Sequence, residues 1–291
     1  MELVRISLVR PEPAGGAAAV AEAAAALVAD LRVGEPVAED GLVAVELEGR
    51  TDADRAAVRA AVVPAARAAG WEVAVLDGAL LGPVGLLVMD VDSTLITGEV
   101  IEMLAEHAGT RAEVAAVTER AMRGEIDFAE SLRARVATLT GVPATALAEV
   151  LQRVELSPGA SALVARAREH GATVGLVSGG FAEVVNPLAA LLGISHVRAN
   201  SLEIADGRLT GRVLGPVVDR AAKAAALLEW AGQLGVDPAA TVAVGDGAND
   251  LDMLAAAGLG VAYRAKPVVA AAADVSIEVP RLDVVAGLLR W

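Results

Sequence analysis

The sequence contains no cysteine, and its basic residues are outnumbered by its acidic ones. Without cysteine, the chain cannot form disulfides or zinc–thiolate sites, and it cannot use a thiol as a nucleophile. Against 38 acidic residues there are 24 basic ones, so the formal net charge is −14. Nucleic acid or an anionic membrane would call for basic patches. We therefore expect neither of them among the partners of this protein.

Long apolar runs are also missing. Uncharged stretches such as residues 79–89 are much shorter than the ~20 residues that a membrane-spanning helix needs. The first residues, Met1, Glu2 and Leu3, lack the basic segment of a secretory signal. From these two observations we expect a cytoplasmic location.

Lysine is scarce as well, since the chain has 22 arginines but only two lysines, Lys223 and Lys266. Arginine presents a planar fork and lysine a compact point charge, so the two are not interchangeable in a tight phosphate site. In a chain that uses arginine as its ordinary cation, a lysine is a candidate for such a site. The alternative is that both lysines are ordinary surface residues.

Residues 1–82 show the pattern of a small α+β domain. Apolar and β-branched runs predict strands at 2–9, 33–37, 42–48 and 71–76, and helical patterns lie at 17–31 and 52–69. This order, βαββαβ, resembles an ACT-like small-molecule-binding domain in its pattern only. Glycine and proline in residues 77–85 predict a linker to the next domain.

Residues 84–291 predict an α/β domain with a doubly wound parallel sheet. The apolar run at 86–89 is typical of a strand buried on both faces. Helical patterns fill residues 98–156, approximately, and strands then alternate with helices up to residue 277. The helical insert directly follows the first strand. We therefore expect it to form a cap over the carboxyl edge of the sheet, where such folds bind ligands.

Two carboxylates, Asp90 and Asp92, stand directly after the first strand of the predicted sheet. Both can project into the crevice at the carboxyl edge. One carboxylate can attack phosphorus without a base, because it is already ionised at pH 7. The other can protonate the leaving alkoxide and then deprotonate the attacking water. Taken alone, the pair is also consistent with a solvated turn.

Two further segments follow predicted strands at the same edge. Residues 178–180 (SGG) combine a hydroxyl with glycines, whose backbone N–H groups can approach a phosphate closely. Residues 245–250 (GDGAND) cluster oxygen ligands without histidine or cysteine, which suits Mg²⁺. Each segment is also consistent with an ordinary strand-to-helix turn. Because carboxylates and phosphate ~4 Å apart repel by several kcal/mol, we expect a divalent cation and a lysine among them.

The chain resembles the haloacid dehalogenase-like phosphatases in the order of their four motifs: Asp90, Asp92 and Thr94 come first, then Ser178 and Gly179, then Lys223, and then residues 245–250. Further segments at 123–128, 131–136 and 206–211 resemble those of the phosphoserine phosphatases, and the resemblance covers about residues 86–280. It implies a magnesium-dependent phosphomonoester hydrolase that converts O-phospho-L-serine to L-serine and phosphate, the last step of serine biosynthesis. A related phosphatase or phosphotransferase acting on another small phosphoester stays open, as does a non-catalytic amino-acid sensor.

The resemblance also implies roles for individual residues. Asp90 is the implied nucleophile and Asp92 the acid/base. The implied phosphate- and substrate-binding residues in the sheet domain are Ser178, Gly179, Lys223 and Asn249. The implied metal ligands are Asp90, Asp92 through its carbonyl, and Asp246, and Asn249 and Asp250 support that site.

The predicted cap offers charges that fit a phosphoserine substrate. Phosphoserine carries an ammonium and a carboxylate, and Glu99 and Arg135, which match family positions, have the complementary signs. Met122 and Phe128 would line the apolar wall between them. The alternatives are a helix-dipole role for Glu99 and an ordinary core role for Met122 and Phe128. A homodimer and an amino-acid effector at the N-terminal domain are further possible partners.

Overall fold

The computed structural model describes residues 1–12, 15–122 and 125–291. The N-terminal part contains, in chain order, β1 (Glu2–Pro11), α1 (Ala17–Ala25), β2 (Ala29–Val33), β3 (Val37–Glu39), β4 (Leu42–Thr51), α2 (Arg55–Ala68) and β5 (Glu72–Asp77). These strands form one antiparallel sheet in the order β2-β4-β1-β5, with β3 also paired to β4. The result is a small α+β domain.

The period-two pattern of β1 explains how this sheet is covered. Val4, Ile6 and Leu8 point to one face and pack in a cluster with buried residues of α1 and α2. Val9 points to the other face and belongs to the core of the second domain. The N-terminal sheet is therefore buried on both sides, with the second domain covering part of one face.

The predicted helix at 17–31 was too long. The structure ends α1 at Ala25 and places Ala29–Val33 in the edge strand β2. An alanine-rich run favours a helix but carries no apolar period that would mark where the helix stops. The open edge of β4 supplies hydrogen-bond partners to residues 29–33, and this pairing outweighs the local preference.

The second part is built on a seven-stranded sheet. Its strands are β6 (Leu86–Met89), β7 (Thr173–Phe181), β8 (His196–Ala205), β9 (Arg208–Leu214), β10 (Thr241–Gly245), β11 (Leu259–Tyr263) and β12 (Val275–Ile277). They lie in the order β12-β11-β10-β6-β7-β8-β9 and are parallel except for the β8–β9 hairpin. The predicted fold class, a doubly wound parallel sheet, is confirmed.

The helices of this part fall into two groups. Those that cover the sheet are α7 (Ala160–Glu169), α8 (Ala182–Leu191), α9 (Arg220–Leu234), α10 (Leu251–Ala256), α11 (Pro267–Ala272) and α12 (Val284–Leu289). Those that form the insert after β6 are α3 (Val100–Ala108), α4 (Arg111–Met122), α5 (Phe128–Ala137) and α6 (Thr145–Arg153). The two linkers of this helical cap run side by side, since Thr97 N–H donates to Glu155 O at 3.0 Å.

Helix α12 joins the two domains, and the sequence pattern did not predict it. Its residues Val284, Val285 and Leu288 are buried in the same core as Val9 and Leu76 of the N-terminal sheet. A Cβ added at Gly287 would lie 3.0 Å from Val9 Cγ2. The absence of a side chain at residue 287 therefore allows α12 to lie close against β1.

Within the described ranges, none of the helices has both the length and the apolar character that crossing a membrane requires.

Candidate active site

The first pair of carboxylates lies at the carboxyl end of β6. Asp90 is 4% exposed and accepts a hydrogen bond from the Val91 N–H at 2.7 Å. Asp92 is partly buried, and its Oδ1 accepts from the Val100 N–H at the start of α3 at 2.9 Å. Between them the chain turns tightly, and Ser93 adopts a positive φ of 58°. The turn thus links a nucleophile candidate on the sheet to an acid/base candidate beside the cap.

Lys223 lies directly against Asp90. Helix α9 begins at Arg220 behind an Asp219 N-cap, which places Lys223 in its first turn. The Lys223 side chain is fully buried, with its Nζ 2.8 Å from Asp90 Oδ1 and 2.6 Å from Asp250 Oδ1. Burial alone would lower the pKa of Lys223, but the two carboxylates raise it above its ordinary value. Lys223 is therefore a fixed positive charge beside Asp90, the nucleophile candidate.

The segment after β10 supplies the third set of polar groups. The Asp250 carboxylate accepts hydrogen bonds from Asp246 N–H at 3.1 Å and Gly247 N–H at 2.9 Å. A Cβ at Gly245 would lie 2.5 Å from Asp250 Cγ, so the strand must end in glycine for the turn to close. The Asn249 side chain folds back against Gly247. Asp250 holds the turn together, and Asp246 is left to face the crevice.

These carboxylates can hold a divalent cation. Oxygen atoms of Asp90, Asp246 and Asp250 all lie within 4.8 Å of one another, and hard oxygen donors suit such an ion. Burial, and then the negative charge of Asp250, raises the pKa of Asp90 above its ordinary value and that of Asp246 to about 6. A cation bound among them would offset this crowding of negative charge. The donor set therefore fits a divalent metal.

The Ser178 turn lies inside β7 rather than after it, because β7 continues to Phe181. The pairing of β7 with β8 shifts register between Val177 and Phe181, which bulges the turn out of the ladder. Gly180 N–H donates to Ser178 Oγ at 2.8 Å. A Cβ at Gly180 would lie 2.6 Å from Asp92 Oδ2, so the turn abuts the acid/base candidate.

The cap places the two predicted charged residues near Asp92. Glu99 is the N-cap residue of α3, and burial raises its pKa, with the charge of Glu102 adding to the effect. Arg135 lies on α5, where burial lowers its pKa while the charges of Glu99 and Asp92 act in the opposite direction. The two residues are therefore close enough to influence each other.

The two predicted apolar residues of the cap differ in what can be said of them. Phe128 reaches the Ser178 turn, since a Cβ at Gly179 would lie 3.0 Å from its Cζ. Met122 is the last residue of α4, but its side chain lies outside the described part of the structure. The role of each as a wall of the substrate site stays a prediction.

Two hydroxyl groups contribute to the site and were not named as site residues from the sequence. Thr94 is fully buried and donates to Asp246 Oδ1 at 2.9 Å. Ser93 donates to Glu99 Oε1 at 2.8 Å. Both belong to the segment DVDST at 90–94, so their place in that motif was the available signal. Each hydroxyl therefore restricts the orientation of one carboxylate.

Comparison with known proteins identifies the family of the chain. Residues 87–255 match the family described as haloacid dehalogenase-like hydrolase. The chain belongs to this family of hydrolases.

Two similar proteins within the family are phosphoserine phosphatases. The chain is 57% identical over 204 residues to phosphoserine phosphatase SerB2 of Mycobacterium tuberculosis, an alignment that covers 70% of this chain and 50% of that protein. It is 51% identical over 198 residues to a phosphoserine phosphatase of Streptococcus thermophilus, covering 68% of this chain and 92% of that protein. The chain spans about half the length of the M. tuberculosis relative.

Solved structures resemble the chain over different extents. A phospho-aspartyl intermediate analogue of phosphoserine phosphatase superposes with a TM-score of 0.66 at 38% identity, covering 70% of this chain and 98% of that one. A haloacid dehalogenase family hydrolase from Salmonella enterica superposes with a TM-score of 0.87 at 25% identity, covering 99% of this chain and 98% of that one. The second likeness includes the N-terminal domain as well as the sheet with its cap.

Proposed function

We propose that this protein is a phosphoserine phosphatase, which hydrolyses O-phospho-L-serine to L-serine and phosphate through a phosphorylated Asp90. The observation that carries the proposal is the buried contact of Asp90 with Lys223 at 2.8 Å, beside a second carboxylate, Asp92. The names of the similar proteins support the choice of substrate. In the cell the reaction would complete serine biosynthesis, and we expect it in the cytoplasm.

The first half of the reaction transfers the phosphoryl group to the enzyme. The ionised Asp90 carboxylate attacks phosphorus while the bond from phosphorus to the serine oxygen breaks. Asp92 gives its proton to that oxygen, which releases L-serine. Burial and the charge of Glu99 raise the pKa of Asp92 to about 7, so a protonated Asp92 is available near neutral pH. Lys223 stabilises the phosphoryl oxygens, and its charge lowers the pKa of Asp90 against the effect of burial, which favours the ionised carboxylate.

The second half returns the enzyme to its starting state. Asp92, now ionised, takes a proton from a water molecule, and the resulting hydroxide attacks the phosphorus of the acyl phosphate. The bond between phosphorus and the Asp90 oxygen breaks, which restores the carboxylate and releases phosphate. Ser178 and the Gly179 N–H would hold the phosphoryl oxygens through both halves.

The metal in this proposal is Mg²⁺, held by Asp90, Asp246 and the Asp92 carbonyl with Asn249 and Asp250 in support. When bound, it offsets negative charge on the phosphoryl group and on the carboxylates around it. Oxygen donors without nitrogen or sulfur favour Mg²⁺ over zinc at such a site.

A phosphate-release screen tests the proposal. We expect phosphoserine to be hydrolysed faster than phosphothreonine or sugar phosphates, and only with Mg²⁺. Asp90→Asn should abolish turnover, whereas Asp92→Asn should slow it by about 10²–10⁴-fold, the usual contribution of acid/base help. Near wild-type turnover by Asp90→Asn would rule out the phosphorylated aspartate. Equal rates on all esters would rule out the assigned substrate.

A further inference from the structure

Asn200 lies beside the active site but was not among its predicted residues. It is 1% exposed and sits on β8, where it pairs with Phe181 at the point at which β7 recovers its register after the Ser178 turn. Asparagine is disfavoured inside strands, and a buried amide is stable only when its polar atoms are bonded. The hydrogen bonds of Asn200 therefore indicate why an amide occupies this position.

The first hydrogen bond of Asn200 holds the Ser178 turn. Its Nδ2 donates to Gly179 O at 2.8 Å, while the N–H at the other end of the same peptide group, that of Gly180, donates to Ser178 Oγ at 2.8 Å. In a trans peptide the C=O and N–H point in opposite directions, so the two bonds fix the plane of the peptide. Because Ser178 Oγ accepts the Gly180 bond, its own O–H is directed elsewhere, and we expect it to reach a phosphoryl oxygen.

The second bond of Asn200 holds the start of helix α9. Its Oδ1 accepts from Val218 N–H at 2.8 Å in a fully buried contact. The next residue, Asp219, caps the helix, and its carbonyl accepts the backbone N–H of Lys223 at 3.0 Å. The amide of Asn200 thus stands between the turn that carries Ser178 and the helix that carries Lys223.

We propose that Asn200 is a positioning residue, which fixes the distance between the Ser178 turn and Lys223 so that both meet the same phosphoryl group. The proposal rests on the proposed function, because it assigns the Ser178 turn and Lys223 to phosphate binding. It assigns no contact with the substrate to Asn200 itself. Its effect should therefore be the same for every phosphoester, whatever the leaving group.

The test compares two isosteric variants. Asn200→Asp keeps the acceptor for Val218 N–H but places an oxygen against Gly179 O. Thr51→Val is the matched control, since the Thr51 hydroxyl is also buried and makes two bonds, to Leu27 O at 2.7 Å and from Ala53 N–H at 3.0 Å, in the N-terminal domain. Both variants remove buried hydrogen bonds, but only the first touches the site.

Three quantities are measured on each protein: the thermal midpoint, the calorimetric affinity for inorganic phosphate with Mg²⁺, and kcat/KM on phosphoserine and p-nitrophenyl phosphate. Misplacement of a catalytic group by about 1 Å costs up to about 100-fold. For Asn200→Asp we expect weaker phosphate binding and a loss of about 10- to 100-fold in kcat/KM, equal on both esters. Thr51→Val should lose thermal stability and retain both affinity and rate.

Several outcomes would overturn the role of Asn200. The first is wild-type phosphate affinity in Asn200→Asp. The second is a loss of kcat/KM on phosphoserine but not on p-nitrophenyl phosphate, and the third is a loss of equal size in Thr51→Val. If Asn200→Asp does not fold, Asn200→Ser, which is smaller and leaves room for a water, is measured in its place against the same criteria. If the wild-type enzyme were inactive on phosphoserine, the proposed function would be wrong. The role of Asn200 would still be tested, because it is measured by the phosphate affinity of Asn200→Asp relative to that of the wild type.

Discussion

Asp90 and Asp92 are only two residues apart, yet different charges face them. Lys223 Nζ lies 2.8 Å from Asp90 Oδ1, whereas the negative charge of Glu99 acts on Asp92. Two neighbouring carboxyl groups with different surroundings can divide the work between a nucleophile and a proton carrier. The identity of both residues could be predicted from the sequence, but this division depends on side chains from α9 and the cap that only the fold brings together.

The raised pKa values predict how the metal-free protein responds to pH. Burial raises the pKa of Asp92 to about 7 and that of Asp246 to about 6, both from an ordinary value of 3.8. The folded state therefore binds protons more tightly than the unfolded state. The contribution of these protonated carboxyl groups to folding stability is complete below about pH 4 and is lost as the pH rises through 6–7. In EDTA we expect the midpoint of thermal unfolding to decrease as the pH is raised from 5 to 8.

The same carboxylates determine how far the thermal midpoint should decrease and provide a control variant. Each kcal/mol of lost stability lowers the midpoint by about 2–4 °C in a chain of this size. Asp246→Asn removes one of the carboxylates whose pKa is raised, so it should reduce the decrease in midpoint, and added Mg²⁺ should raise the midpoint most at pH 8. A midpoint that stays constant or rises between pH 5 and pH 8 in EDTA would contradict the burial of these carboxylates.

Lys223 and Lys266 test whether the scarcity of lysine is informative. Lys223 has no exposed surface and touches two carboxylates, so the broader guanidinium of Lys223→Arg should displace Asp90 and lose about 100-fold or more in kcat. Lys266 is exposed, and its backbone N–H donates to Asp246 O at 3.3 Å, while its charge lowers the pKa of Glu99 against the larger effect of burial. Lys266→Arg should therefore be tolerated. The test is kcat of both variants on phosphoserine at saturating Mg²⁺. Full activity of Lys223→Arg would show that lysine is not required at this position.

At the scale of elements, the cap brings two side chains of opposite charge close to Asp92 at the carboxyl edge of the sheet. Glu99 begins α3 and Arg135 lies on α5, so their approach to each other depends on how these helices pack. If Glu99 binds the ammonium and Arg135 the carboxylate of phosphoserine, each loss removes a charge-assisted bond worth about 1.5–3 kcal/mol. Glu99→Gln and Arg135→Ala should then lower kcat/KM on phosphoserine by about 10- to 150-fold.

An aryl phosphate serves as the control, because it has neither an ammonium nor a carboxylate. Both cap variants should hydrolyse p-nitrophenyl phosphate at close to the wild-type rate with the same Mg²⁺ concentration. Losses of equal size on the two substrates would instead indicate that Glu99 and Arg135 maintain the structure of the cap.

The elements differ in how well the sequence predicts them. The central strand β6 has a continuous apolar run and follows a glycine-rich linker, and the structure forms it over the predicted residues, Leu86–Met89. Helix α12 (Val284–Leu289) was missed because six mostly apolar residues show no usable period. Asn200 was missed for another reason: its two partners, Gly179 and Val218, are far from it in sequence and meet only through strand pairing.

For the whole molecule, the contact of α12 with β1 holds the two domains together. Gly287 has a valine side chain within 3.0 Å of where its Cβ would be, whereas a Cβ at Gly232 in α9 would meet no atom within 4 Å. Gly287→Val should therefore cost about 1–3 kcal/mol through overpacking, while Gly232→Val should be neutral or stabilising, because glycine is a poor helix former. Thermal unfolding of the two variants measures the difference. Equal midpoints would indicate that α12 yields easily at this contact.

The position of α12 also bears on the order in which the protein is completed during translation. Among the described elements, β1 leaves the ribosome before the other strands, and α12 leaves it after the other helices. At a translation rate of ~5–20 residues per second, the Val9 face of the antiparallel sheet stays uncovered for roughly tens of seconds until α12 has been synthesised. Helices α1 and α2 can cover the opposite face earlier. The antiparallel sheet is therefore made before the seven-stranded sheet, but its Val9 face is covered only after α12 has been synthesised.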